Sequence, residues 1–241
     1  MRFYKLKYFE DEGQKNPSIQ DFRAGYDVDA ENSATNIIHY QKINFTPDLD
    51  FVLDANGKAT DLLKVCYVMS DYLCVSPRLY DVLKKFKILR HQCFDAVVRD
   101  KENKLPYKFL HFYDRFDTDG NNLVDFETTK FYAEKTPYPI SLMAIPTEEE
   151  GILGVFKASS WNEYHNIREK VENDNSHKVI LPLDVLHIKK KEYLELDLFY
   201  VDFNNFAVQQ FVVSERLAKE ITGNNFTGIK VEPLPFEIKV S

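Results

Sequence analysis

Three groups of residues have types and spacing that could do chemistry. His91 and Cys93 stand two positions apart, so on a strand both side chains share a face. A Cys beside a His is half of an activated nucleophile or half of a zinc site. A dyad also needs a third, orienting group and an exposed cleft. The pair reads as a packed Cys next to a partly exposed His. Asp117-Thr118-Asp119-Gly120 invites a calcium reading. Calcium loops of the helix–loop–helix type need an acid at position 1 and Glu at 12. With Gly120 at position 6, those places hold Arg115 and Phe126, so a turn is the better reading. The third group is Arg78 and Arg216, each two residues after a Ser. They could meet in a shared site, or each could pair locally with a carboxylate. An Arg in a first helical turn is disfavoured by the helix dipole, which calls for a fixed acidic partner. Local pairing is the favoured expectation.

Other reactive patterns do not occur. The eight Gly form no phosphate cradle, and there is no Gly-x-Ser-x-Gly or His-Glu-x-x-His. The six His are scattered at 39, 91, 111, 165, 177 and 187, without metal-ligand spacing. No catalytic, cofactor-binding or metal-binding residue is assigned, and the expected class is non-enzymatic.

The two arginines belong to a phrase the chain contains twice. Leu73-Cys74-Val75-Ser76-Pro77-Arg78-Leu79 returns as Phe211-Val212-Val213-Ser214-Glu215-Arg216-Leu217. Each copy runs from an apolar strand into a Ser, whose hydroxyl can accept a free N–H of a helical first turn. Pro77 then takes the first helical position, where its missing donor costs nothing. The phrase therefore predicts two strand-to-capped-helix units. Ser76, Arg78, Ser214 and Arg216 are its structural residues, and Gly228, beyond the second copy, is assigned a structural role with them.

The chain has 241 residues, a formal charge of -7, and 14% aromatic residues. That supplies a substantial core. The acidic balance argues against nucleic-acid binding, which needs a basic stripe. Three Cys without a CxxC pair, and an N-terminus without a signal peptide, suggest a reducing cytoplasm. No apolar run nears the ~20 residues of a membrane span.

Along the chain, Arg2–Phe9 reads as a strand, residues 10–36 as a long irregular connection, Asn36–Phe45 as a short strand and Pro47–Gly57 as a turn. An apolar run over 61–74 precedes a helix from Pro77 to about Phe86. Gln92–Arg99 and Tyr107–Phe116 form a hairpin across a turn at 100–106. Ser159 or Ser160 caps a polar helix over 160–172. Tyr193–Phe203 and Phe206–Val213 pair, a helix follows Ser214, and Gly228–Pro233 is a last strand. Strands and helices mix without a regular βαβ series, which predicts an α+β fold of mixed and antiparallel sheets with short helices. Residues 1–60 form a loosely patterned N-terminal region and 61–241 an α+β domain, with a single continuous domain over 1–241 as the other division.

Val212-Val213-Ser214-Glu215-Arg216-Leu217-Ala218, followed by Phe226-Thr227-Gly228-Ile229 and Glu232-Pro233, resembles the closing motif of a bacterial immunity-protein family found beside polymorphic toxins. That family was first catalogued as a domain of unknown function in myxobacteria. Ser76-Pro77-Arg78-Leu79 is similar to its earlier Ser-Pro-Arg element, and Val124-Asp125-Phe126-Glu127-Thr128 to its central Val-Asp-x-x-Ser/Thr element. A related immunity family of Bacteroidetes-type bacteria fits comparably. The resemblance spans roughly residues 65–236. It implies a cytoplasmic protein that binds and neutralises a cognate toxin, with no catalytic residues and no cofactor.

Candidate partner-binding residues are Glu148, Glu149 and Glu150, an acidic run, and Trp161 and Tyr164 just after it. An aromatic anchor with an acidic rim suits a basic toxin face. Core packing or a solvated face is the competing role for the same residues. The competing function is a small-molecule-binding protein or an enzyme of unrecognised type, since an aromatic-rich mixed fold can hold an apolar pocket.

Overall fold

A computed structural model describes residues 2–8, 18–38, 41–54, 57–65, 72–113, 124–135, 152–160, 162–164, 166–167, 178–201 and 210–241. Its strands are β1 (Phe3–Tyr8), β2 (Ser18–Phe22), β3 (Asp50–Leu53), β4 (Leu62–Val65), β5 (Tyr72–Val75), β6 (His91–Asp100), β7 (Asn103–Phe112) and β8 (Phe131–Lys135). They continue as β9 (Ile152–Phe156), β10 (Lys178–Pro182), β11 (Val185–Ile188), β12 (Leu198–Val201), β13 (Gln210–Ser214), β14 (Ile229–Pro233) and β15 (Glu237–Val240). The longer helices are α1 (Pro77–Leu83) and α2 (Glu215–Gly223), residues 162–164 and 166–167 are also helical, and 3-10 turns lie at Ala34–Asn36 and Lys191–Glu195. The fold is α+β and mostly sheet.

Six strands close a barrel in the order β2-β3-β6-β7-β5-β4. Its interior is filled by Phe51, Leu63, Val98, Phe109 and their neighbours, with Cys74 fully buried among them. The longest pairing of the barrel is the β6–β7 hairpin, paired from His91–Phe112 to Asp100–Asn103. The connection is two residues, not the predicted 100–106 turn, and Lys101 takes its left-handed position at φ 55. Pro106 does not break the strand, because β5 pairs only with 108–111 and makes no rung opposite it. Two other expectations also differ. In the segment expected as a strand over 36–45, Asn36 ends a 3-10 turn and residues 37–38 and 41–45 form no strand, and the expected turn over 47–57 contains β3, which pairs with both β2 and β6. The apolar run 61–74 contains two strands, β4 and β5.

A second sheet has the order β12-β13-β1-β14. β1 is an inner strand, antiparallel to β13 on one side and β14 on the other. The first strand of the chain is thus built into the C-terminal sheet, while β2 and β3 belong to the barrel. The predicted strand over 193–203 begins late: residues 191–195 form a 3-10 turn and β12 starts at Leu198. Beside these sheets lie a three-stranded sheet, β10-β8-β9, and the parallel pair β11-β15. The larger core joins them, with Phe3, Leu6, Phe112, Phe131, Phe199 and Phe211 among its members.

The helices follow from the repeated phrase. Ser76 Oγ accepts the Leu79 N–H at 3.2 Å, and Ser214 Oγ accepts the Leu217 N–H at 3.3 Å. Each helix then buries one stripe: Leu79, Val82 and Leu83 in α1, and Leu217, Ala218 and Ile221 in α2.

Candidate functional site

The repeated phrase builds two junctions of the same design. At the first, Asp61 stands just before β4 and its carboxylate faces the start of α1. Ser76 donates its hydroxyl to Asp61 Oδ1 at 2.6 Å. Arg78 donates Nε to Oδ1 at 3.3 Å and Nη2 to Oδ2 at 2.7 Å. At the second, Asp197 stands just before β12. Ser214 donates to Asp197 Oδ1 at 2.6 Å, and Arg216 forks onto both oxygens through Nε and Nη2. The backbones match as well: Ser76 N–H donates to the Asp61 carbonyl and Ser214 N–H to the Asp197 carbonyl, both at 2.8 Å. So Arg78 and Arg216 do not share a site. Each pairs with an acid of its own unit, the local pairing the helix dipole called for.

The units are then exchanged at their ends. The Phe226 ring, which follows α2, lies 4.6 Å from the Arg78 guanidinium. The Phe86 ring, which follows α1, lies 5.5 Å from that of Arg216. The residue after each Phe completes the opposite carboxylate. Thr227 N–H donates to Asp61 Oδ2 at 2.8 Å, and Lys87 N–H donates to Asp197 Oδ2 at 3.0 Å. Each junction is therefore closed by the other, in a pseudo-two-fold clasp. Gly228 is required where this closure is tightest. Its φ is +73, and a Cβ there would overlap Thr60 Oγ1 and stand 2.6 Å from the Leu62 carbonyl.

Both carboxylates are buried and both remain charged. Burial pushes Asp61 up, but hydrogen bonds from Arg78, Ser76 and Thr227 outweigh it and hold the acid below the usual carboxylate range. Burial acts the same way on Asp197, where Arg216, Ser214 and the Lys87 backbone outweigh it. The Ser hydroxyls each donate to an acid and accept a backbone N–H, which uses them as caps. A hollow of about 410 Å³ opens beside the second junction, lined by Glu195, Asp197, Arg216 and Lys219.

The remaining sequence candidates distribute as follows. The Val-Asp-x-x-Thr element forms a clipped turn: Asp125 accepts the Thr128 N–H at 3.1 Å and its hydroxyl at 2.9 Å. Val124 bridges to Ile188. Tyr164 does not present a surface for a partner. It is fully buried against Phe126, Phe131 and Phe156, because apolar faces of β8 and β9 need a cover. Ser160 caps the short helix that carries it, accepting the Glu163 N–H at 3.2 Å. Glu148, Glu149, Glu150, Trp161 and the 117–122 loop lie outside the described residues. His91 and Cys93 form no dyad: His91 Nδ1 is turned to the Leu89 carbonyl at 2.9 Å and Cys93 is exposed. Among the described residues, no group of three or more His, Cys, Asp or Glu side chains is placed to hold a metal. No described helix is long and apolar enough to cross a membrane.

Sequence reasoning missed the acids and the rings of the clasp. A signal was present: Asp61-Leu62-Leu63 and Asp197-Leu198-Phe199 precede the two copies, and Phe86-Lys87 and Phe226-Thr227 follow them. One further group stands out on β1, where burial and Lys7, opposed by Glu232, push the Lys5 ammonium down to about 8. No family model, curated protein or solved structure matches this chain.

Proposed function

We propose that this chain is a non-enzymatic immunity protein of a bacterial polymorphic toxin system, acting in the cytoplasm by binding and neutralising a cognate toxin. The observation that carries the reading is the assembly of the resemblance-bearing residues. Ser76, Arg78, Ser214, Arg216, Phe226, Thr227 and Gly228 come from opposite ends of the sequence and meet in one reciprocal clasp. Residues that share one structural task form a signature of a scaffold, which supports the likeness of residues 65–236 to that family. Motif residues spent on scaffold leave toxin contacts to the surfaces and loops around it, which suits an inhibitor whose contacts must follow its toxin.

The test is co-expression of the chain with the toxin encoded beside it, together with affinity purification of the tagged chain from its native host. Rescue of growth and recovery of a stoichiometric complex are expected. No rescue and no toxin-like partner would sink the reading.

A further inference from the structure

The chain is acidic at -7, yet one part of its surface is basic. Residues 84–90 carry Lys84, Lys85, Lys87 and Arg90 with no acid among them. Residues 189–195 carry three consecutive lysines against Glu192 and Glu195. Seven basic and two acidic side chains leave these segments at a net +5, and Asp81, one turn before Lys84 and 2.7 Å from its ammonium, brings the face to +4.

The clasp brings the two segments side by side. The Lys87 carbonyl accepts the Asp197 N–H at 2.6 Å, and Leu89 N–H donates to the Leu198 carbonyl at 2.8 Å. The Lys87 ammonium stands 3.5 Å from Glu195, which closes the 3-10 turn opened by Lys191. At a rise of about 2 Å per residue, Lys191 lies roughly 8 Å from Glu195 along that turn. The side chains of Lys84 and Lys87 are 51% and 64% exposed. Lys85, Lys189 and Lys191 are exposed too. Arg216 lies beside the strip, 63% exposed over the Phe86 ring, with its charge offset by Asp197.

The chemistry of the strip points to carboxylates on a protein. Lysines are compact, strongly hydrated charges that steer an oppositely charged surface at long range. A single-stranded nucleic acid would want open aromatic faces for its bases, but the one ring within 84–90, Phe86, is covered by Arg216. We propose that this strip is the docking face for an acidic protein surface. The partner's identity as the toxin rests on the immunity reading above, while the strip's chemistry stands on the charge distribution alone.

The experiment uses the full chain and the charge-reversed variant K84E/K85E/K191E, whose fold is checked by circular dichroism and thermal melting. Both are titrated with the neighbouring toxin, with poly-L-glutamate and with a single-stranded RNA oligonucleotide. At about 50 mM salt the variant is expected to associate with the toxin about tenfold more slowly or worse, with most of the difference gone at about 500 mM. Poly-L-glutamate should bind the unchanged chain and not the variant. A folded variant that binds toxin and poly-L-glutamate as well as the unchanged chain overturns the docking face and leaves the immunity reading standing. A chain that binds poly-L-glutamate through the strip but neither binds the toxin nor rescues growth overturns the immunity reading and keeps the face. Tighter strip-dependent binding of RNA than of poly-L-glutamate overturns the assignment to a protein partner.

Discussion

Thr227 donates both its backbone N–H, at 2.8 Å, and its hydroxyl, at 3.0 Å, to one carboxylate oxygen of Asp61, 166 positions earlier in the chain. The carboxylate also takes Ser76 and the fork of Arg78, so one buried acid joins a strand, a helix start and the far end of the protein. Asp197 does the same for the other unit. A buried charge is tolerated only when its lone pairs are filled. Here each unit supplies most of the partners and the opposite unit supplies the last one. The two halves of the chain can reach their full hydrogen bonding only together.

Acid should therefore loosen the clasp. Both carboxyls sit below their ordinary value when folded. Their contribution is fully present above the unfolded value of ~4 and is lost as pH falls through the folded values. The urea midpoint of the unchanged chain should drop between about pH 5 and pH 2. In D61N/D197N it should start lower at neutral pH and fall less steeply over that window. Equal slopes for the two proteins would refute the account. Asp197→Ala alone strands the Ser214 hydroxyl and the Lys87 N–H, and should cost about 2–3 kcal/mol.

The glycine at the closure separates two kinds of strain. Gly25 and Gly228 share a left-handed backbone, with φ of +72 and +73, but only Gly228 is crowded. Gly25→Ala should cost about 1–2 kcal/mol, the price of the backbone alone. Gly228→Ala should cost more, and T60A should not restore it, because the Leu62 carbonyl still stands 2.6 Å from the added Cβ. Paired chemical denaturation curves would read both effects.

Removing the stacked rings should show the exchange between units. Phe226 is 9% exposed, and Phe226→Ala should cost about 3–4 kcal/mol. A double-mutant cycle of Arg78→Lys with Phe226→Leu should return a coupling of about 0.5–1 kcal/mol, the range of an exposed cation over a ring. A coupling of zero would mean that the two residues are neighbours without interaction.

Lys5 offers a test of opposite sign. Its folded value of about 8 lies below its ordinary one, so the unfolded chain binds the proton more tightly between about pH 8 and pH 10. Stability should rise with pH across that interval. Lys5→Met should remove that part of the rise and be the more stable protein at pH 7, as measured by urea midpoints at both pH values.

The thiols should divide cleanly. Cys93 is exposed, whereas Cys74 is fully buried and burial pushes its thiol far up. In a Cys66→Ser background, one thiol should react with a disulfide reagent at once. The other should react only at the rate of unfolding. Two fast thiols would contradict the packing of the barrel interior.

Much of the local structure was legible because its causes are local. A Ser cap acts on an N–H three residues away, and Pro77 acts through its own ring. The apolar stripes of α1 and α2 repeat at helical spacing, so both helices start where the sequence places them. The hairpin was legible as two strands but not in its turn, because Asn103 to Pro106 are poor strand formers held in register by β6. β3 was missed for a similar reason: a four-residue segment with Asp at its start is a strand only because β2 and β6 lie on either side.

By its sequence alone the chain settles its two capped-helix units and its acidic charge, since each follows from residues within a turn of one another or from a count. Only the tertiary structure decides what Arg78 and Arg216 are for. Their acids stand 17 and 19 positions upstream, and the rings that cover them come from the opposite unit. It also decides that Lys87 meets Glu195, which joins the segment 84–90 to the turn that Lys191 opens. Such contacts carry no local spacing to betray them. They exist because two buried carboxylates must fill their hydrogen bonds, and the chain can fill them only by bringing its ends together.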